Sequence, residues 1–133
     1  MVDSKRELFK SYVKSNVAPL LVDFIDGNNI PNCVVLPSNI EISELNGHYE
    51  NINFVPPEWL NKITNSTIPT ILVINQIDSI PKNEQTKFIE ILKYRQISTF
   101  ELPKNTVIIV TAKEINENTI NEEIYSLVAH IKG

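Results

Sequence analysis

The run Thr70-Ile-Leu-Val-Ile-Asn-Gln-Ile-Asp-Ser-Ile-Pro81 constrains this chain more than any other segment. Consecutive apolar side chains leave no wet face, so the run predicts a strand over 71–75 buried on both sides. Shorter runs of the same kind stand at 33–36 and 107–111. Strands separated by helical or long connections pair in parallel through right-handed crossovers, and helices then cover the sheet. The expected class is α/β, a three-layer, mostly parallel sheet covered by helices. With 133 residues, 42% apolar and 21% charged, the chain is long enough to bury one core, and a single domain over 1–133 is expected.

Between the strands the pattern turns helical. Leu8, Phe9, Tyr12, Val13, Val17, Leu20, Leu21, Phe24 and Ile25 recur at helical spacing, predicting an N-terminal helix that Pro19 kinks or splits and that Ser15 or Asn16 caps anew. Gly27, Asn28 and Asn29 read as its stop, and Pro31 prevents resumption. A rival reading makes 20–25 a strand, because that run is short and contains branched residues. Pro57 is placed to open a short helix over 58–63 anchored by Trp59. Residues 81–94 read as a helix capped from Ser79, 96–102 as a small hairpin turned near Lys104 and Asn105, and 121–132 as a closing helix.

The net charge of −4 argues against a nucleic-acid-binding face and against an anionic membrane surface. No leader or spanning run is seen, so a cytoplasmic protein is expected. A single cysteine, Cys33, excludes an internal disulfide framework and reads as a buried thiol. His48 and His130 stand far apart, and no zinc-ligand spacing exists.

From Val34 onward the order of blocks resembles a MoxR-type AAA+ ATPase core of the P-loop NTPase superfamily. The blocks are Cys33-Val-Val-Leu-Pro-Ser38, Glu44-Leu-Asn-Gly47, Val55-Pro-Pro-Glu-Trp-Leu60, the 71–75 strand, 81–95, Phe100-Glu-Leu-Pro103 and Thr106-Val-Ile-Ile-Val-Thr-Ala112. The resemblance implies that 71–75 is the magnesium strand and 107–111 the sensor strand. In such a core the magnesium strand ends in Asp-Glu, one carboxylate for Mg²⁺ and one beside the attacking water. Here Asn75 and Gln76 stand in those places. Neutral amides bind a hard cation weakly and accept no proton near neutral pH.

Other positions implied by the resemblance depart in the same direction. A phosphate loop needs glycines, then Lys and Ser or Thr at a helix start. The nearest match, Leu8-Phe-Lys-Ser-Tyr-Val-Lys14-Ser15, has Leu8 and Val13 where the glycines belong. Lys14 and Ser15 read equally as the wet face of a helix. Lys113 replaces the sensor Asn and reads as an exposed strand-end charge. His130 replaces the arginine finger and reads as a helix-surface residue; an imidazole does not substitute for a permanent guanidinium charge.

The expected fold is therefore a truncated AAA+/P-loop NTPase-like core lacking a standard phosphate loop. Its expected function is that of a non-catalytic binding or regulatory module, with no catalytic residue, metal or cofactor, associating with a protein partner or with itself. The alternatives are a residual ATP-binding protein or weak NTPase holding ATP with Mg²⁺ through Lys14, Ser15 and Asp78, or an isolated fragment of such a machine. In the AAA+ arrangement a strand precedes the phosphate loop and lies beside the sensor strand, and another follows the arginine finger. With neither predicted here, Val107–Thr111 should lie on an edge. Three remedies for that edge are open: a covering N-terminal helix, pairing with 20–25, or pairing with a second subunit.

Overall fold

The computed structural model describes residues 18–30, 33–66 and 70–131. In chain order the elements are strand β1 (Leu20–Val22), strand β2 (Cys33–Pro37), helix α1 (Ile42–Asn46), a hairpin of β3 (His48–Glu50) and β4 (Asn53–Val55), and helix α2 (Glu58–Thr64). Strand β5 (Ile71–Asn75), helix α3 (Ile89–Tyr94), a small hairpin of β6 (Gln96–Ile97) and β7 (Phe100–Glu101), strand β8 (Val107–Thr111), helix α4 (Glu122–Leu127) and strand β9 (Ala129–Ile131) follow. Single 3-10 turns cover Gly27–Asn29, Ile77–Ser79 and Gln85–Phe88.

Among the described residues the main sheet has five strands in the order β2-β5-β8-β1-β9, and every neighbouring pair is parallel. Val73 of β5 lies opposite Ile109 of β8, and Leu21 of β1 lies between Val110 and His130. Side chains alternate between the two faces. Leu21, Leu36, Leu72, Ile74, Ile108 and Val110 join one apolar cluster with the buried residues of all the described helices, among them Leu45, Trp59, Ile91 and Ile124. Leu20, Val22, Val73, Val107, Ile109 and Ile131 form the second cluster on the opposite face, with Ile30, Phe24 and Ile25 against them. Both faces of the central strands are dry, as the unbroken apolar runs require. Burial of each such Leu, Ile or Val side chain contributes roughly 1.5–3 kcal/mol.

The α/β class and the strands at 33–37, 71–75 and 107–111 agree with the sequence. So does the helix begun at Pro57, where Trp59 is 6% exposed and its indole N–H donates to the Leu45 carbonyl at 2.9 Å. Gly47, at φ 83°, turns the chain from α1 into β3 so closely that a Cβ there would sit 2.5 Å from the Val55 carbonyl oxygen.

Five expectations need correction. Residues 20–22 are a strand and not part of a helix; the rest of the predicted N-terminal helix, 8–17, lies outside the described residues. Because β1 pairs with β8, Val107–Thr111 is an inner strand, fully buried, and offers no edge to a partner. Of the three remedies, pairing with 20–22 is the one realised. The closing helix stops at Leu127, and Ala129–Ile131 adds a strand beside β1. A turn over 82–84 and the 3-10 stretch Gln85–Phe88 stand where the first part of the predicted 81–94 helix was expected, and the small hairpin turns at Ser98 and Thr99, with Ser98 at φ 54°, instead of near Lys104.

Candidate functional site

In an open parallel sheet, ligands are taken at the carboxyl ends of the strands. Here those ends bring together Asn75 from β5, Thr111 from β8 and the loop that follows β1. The Asn75 Oδ1 accepts the Gly27 N–H at 3.0 Å and the Thr111 hydroxyl at 2.7 Å. Both lone pairs of that oxygen are thereby used. The Thr111 Oγ1 in turn accepts the Gln76 N–H at 2.8 Å, which holds Gln76 at φ 50°, a left-handed conformation that a Gln adopts only at a cost.

The 27–30 turn presses directly on β5. A Cβ on Gly27 would lie 2.6 Å from Val73 Cγ1 and 2.8 Å from Asn75 Oδ1, so only glycine allows this approach. Asp26 caps the turn by accepting the Asn28 N–H at 2.9 Å, and the Cys33 thiol donates to the Ile30 carbonyl at 2.9 Å. Burial raises the Cys33 pKa more than the thiol's backbone contact lowers it. Cys33 is half-buried, a partial agreement with the expected buried thiol.

Asp78, the candidate displaced metal ligand, projects to the end of β8. Its carboxylate accepts the Lys113 N–H at 3.1 Å and the Glu114 N–H at 3.0 Å, stapling the segment after β8 to the Ile77–Ser79 turn. Lys113 is exposed, and it meets Asp78 through its backbone. Lys14 and Ser15 lie outside the described residues. Among the described residues no group of three or more His, Cys, Asp or Glu is placed to hold a metal ion.

His130 is on strand β9, not on a helix surface. Its ring packs edge-on to Tyr125 at 4.0 Å and its Nε2 lies 2.9 Å from the Tyr125 carbonyl, so it fastens β9 to α4. Beside Asn75 a shallow cavity of about 340 Å³ is lined by Pro37, Ser38, Asn39, Asn75, Gln76, Ser79 and Ile80. Its walls carry hydroxyls and amides and no charge; the Ser38 and Ser79 hydroxyls are 2.6 Å apart, and Ser79 donates to the Gln76 carbonyl.

The sequence pointed to Asn75, Gln76 and Asp78 but not to their partners. By its local pattern Gly27 reads as a helix stop and Thr111 as an ordinary strand residue; the pairing of β5 with β8 sets Thr111 beside Asn75, and the pairing of β1 with β8 carries the loop of Gly27 to the same end of the sheet. No protein-family model matches the chain, and no curated protein matches it as a relative.

Proposed function

We propose that this chain is a non-catalytic AAA+-like module that works by binding a protein partner and not by turning over nucleotide. The observation that carries this is the closed contact of Gly27 with Asn75. At the sheet crest where a P-loop NTPase would seat a phosphate and its magnesium, a backbone N–H and a hydroxyl occupy both lone pairs of a neutral amide oxygen. The strand order β2-β5-β8-β1-β9 supports the family part of the reading. It sets 107–111 beside 71–75, then 33–37, with a strand on the far side of 107–111 as the AAA+ arrangement requires. With β1 in the place of the strand that precedes a phosphate loop, such a loop would follow Val22, whereas the nearest match by sequence, 8–15, stands before it; residues 23–32 join β1 to β2, a span in which a glycine-rich phosphate loop and a full crossover helix do not fit.

A module of this kind keeps the scaffold and dispenses with the acid pair that Asn75 and Gln76 replace. Asn75 and Thr111 then serve to fix the loop after β1, and Asp78 serves to fix the segment after β8. The test is calorimetric titration of the purified chain with ATP and ADP in the presence of Mg²⁺. No heat above dilution is expected up to millimolar nucleotide; saturable micromolar binding overturns the proposal.

A further inference from the structure

The main sheet ends in two outer strands, β2 and β9. β9 is a three-residue strand whose His130 packs on Tyr125 of α4. β2 is different. Among the described residues it pairs with β5 alone, so the outward backbone N–H and C=O groups between Cys33 and Leu36 have no ladder partner. Edge strands are ordinarily blunted by charge, proline or a bulge. Cys33-Val-Val-Leu36 carries neither charge nor proline, Pro37 comes only at the last position of the strand, and the strand pairs with β5 residue for residue without a bulge.

A groove of about 560 Å³ runs beside this edge. Val35, Leu36 and Pro37 contribute its β2 side, and Val55, Pro57 and Trp59 are among its apolar walls. Glu44 of α1 and Glu58 of α2 also line it, both with exposed side chains, against the single ammonium of Lys62. His48 lines the groove as well, with its Nε2 3.4 Å from the Glu50 carboxylate. An open strand edge, an apolar trough and an acidic rim together fit an extended segment. Its backbone would supply the missing ladder, and its alternate side chains would be apolar and basic.

We propose that the outer edge of β2 and this groove take an extended, Lys- or Arg-bearing segment of a protein partner as a sixth strand. This rests on the partner-binding reading and names its surface. Complementary charge sets register and suppresses acidic competitors, while the backbone pairing provides sequence-tolerant affinity.

The test is selection of the folded chain against a displayed library of random dodecapeptides, followed by amide chemical-shift mapping with the best synthetic peptide. The expected result is enrichment of peptides alternating apolar with Lys or Arg. Their shifts should centre on Val34, Val35 and Leu36 and on the groove, with binding falling on the order of tenfold in Glu44→Lys/Glu58→Lys. Both glutamates are exposed, so unchanged thermal unfolding of that variant confirms an intact fold. Failure to enrich any binder, enrichment of acidic peptides, or indifference to the double charge reversal overturns the proposal. Peptides that bind but shift amides elsewhere sink this surface and leave the partner reading standing. Binding of Mg²⁺ with ATP sinks that reading without moving the peptide result.

Discussion

The Asn75 side-chain oxygen holds the Gly27 backbone N–H at 3.0 Å, across 48 positions of sequence. That bond fixes the loop after β1 onto the end of β5. It depends on the absence of a side chain at position 27, where a Cβ would come within 2.6 Å of Val73 and 2.8 Å of Asn75. Gly27→Ala is therefore expected to destabilise the fold by about 1–3 kcal/mol through overpacking. Asn28→Ala, at an exposed neighbour, should change stability little. The midpoint of urea unfolding measures both; equal midpoints for Gly27→Ala and wild type would show that the loop does not sit on β5 as described.

The same contact separates two grounds for the proposed lack of nucleotide turnover. If missing acids were the sole obstacle, Asn75→Asp/Gln76→Glu would confer phosphate release from ATP with Mg²⁺. The loop contact predicts otherwise, because a carboxylate at 75 would still accept from Gly27 and Thr111 and would remain covered. Release of phosphate at the background rate is expected for wild type and variant alike. Turnover in the variant would show that the crest can open.

The parts of the fold legible in the sequence were those that need no distant partner to specify them. Residues 71–74 and 107–110 are apolar throughout, which only a strand buried on both faces tolerates. Leu20–Val22 was harder, since its residues also continue a helical repeat from Leu8; its pairing with both β8 and β9 decides the matter, and pairing is not local. The inner position of β8 follows from that one strand. At the crest, Asn75 stood out by its place after an apolar run, whereas Gly27 and Thr111 acquire their roles by tertiary contact alone. His130 was assigned to a helix because 121–132 keeps an apolar pattern past Leu127, although the chain leaves the helix at Val128, extended at φ −118° and ψ 152°.

The Cys33 thiol should react slowly. Its Sγ lies 2.9 Å from the Ile30 carbonyl, and burial pushes its pKa up, so the thiolate that attacks a disulfide reagent is scarce near neutral pH. With Ellman's reagent at pH 8 the folded chain is expected to react more slowly than the urea-unfolded chain. The folded rate should keep climbing as pH passes the ordinary thiol range. Equal rates in the two states would mean that the thiol is not held against the 27–30 turn.

Arg95 ends α3 at φ 54° and sends one guanidinium nitrogen to the carbonyls of Thr106 at 2.7 Å, Pro103 at 3.1 Å and Lys104 at 3.4 Å. These bonds hold the approach to β8. Burial lowers the Arg95 pKa, but a guanidinium remains charged across the accessible pH range. Arg95→Ala should cost about 2 kcal/mol, after allowance for the side chain's partial exposure, and the cost should not vary between mildly acidic and mildly basic pH. Arg95→Lys should recover part of it, because an ammonium can serve some of the carbonyls but lacks the fixed direction of the terminal guanidinium nitrogen. Urea unfolding of both variants measures this; a full loss in Arg95→Lys would show that the placement of that nitrogen, beyond the charge, sets the loop.

Gln85 is fully buried and uses both ends of its amide. Its Nε2 donates to Thr119 at 2.8 Å and to Ile80 at 3.2 Å, while its Oε1 accepts the Asn121 N–H at 2.8 Å. It thereby ties the 3-10 turn before α3 to the start of α4. In Gln85→Glu the carboxyl would face two carbonyl oxygens, and ionisation would leave both without a donor in a dry site. Its folded-state pKa is then raised above the ordinary carboxyl value, while the unfolded chain keeps that value. The folded state binds the extra proton, so stability falls as pH rises above the unfolded pKa and levels off above the folded one. Below the unfolded pKa the protonated acid still donates to one carbonyl only, and a smaller deficit persists. Thermal unfolding of wild type and Gln85→Glu at pH 4 and pH 8 measures the difference. A gap in melting temperature no wider at pH 8 than at pH 4 would mean that position 85 is reached by water.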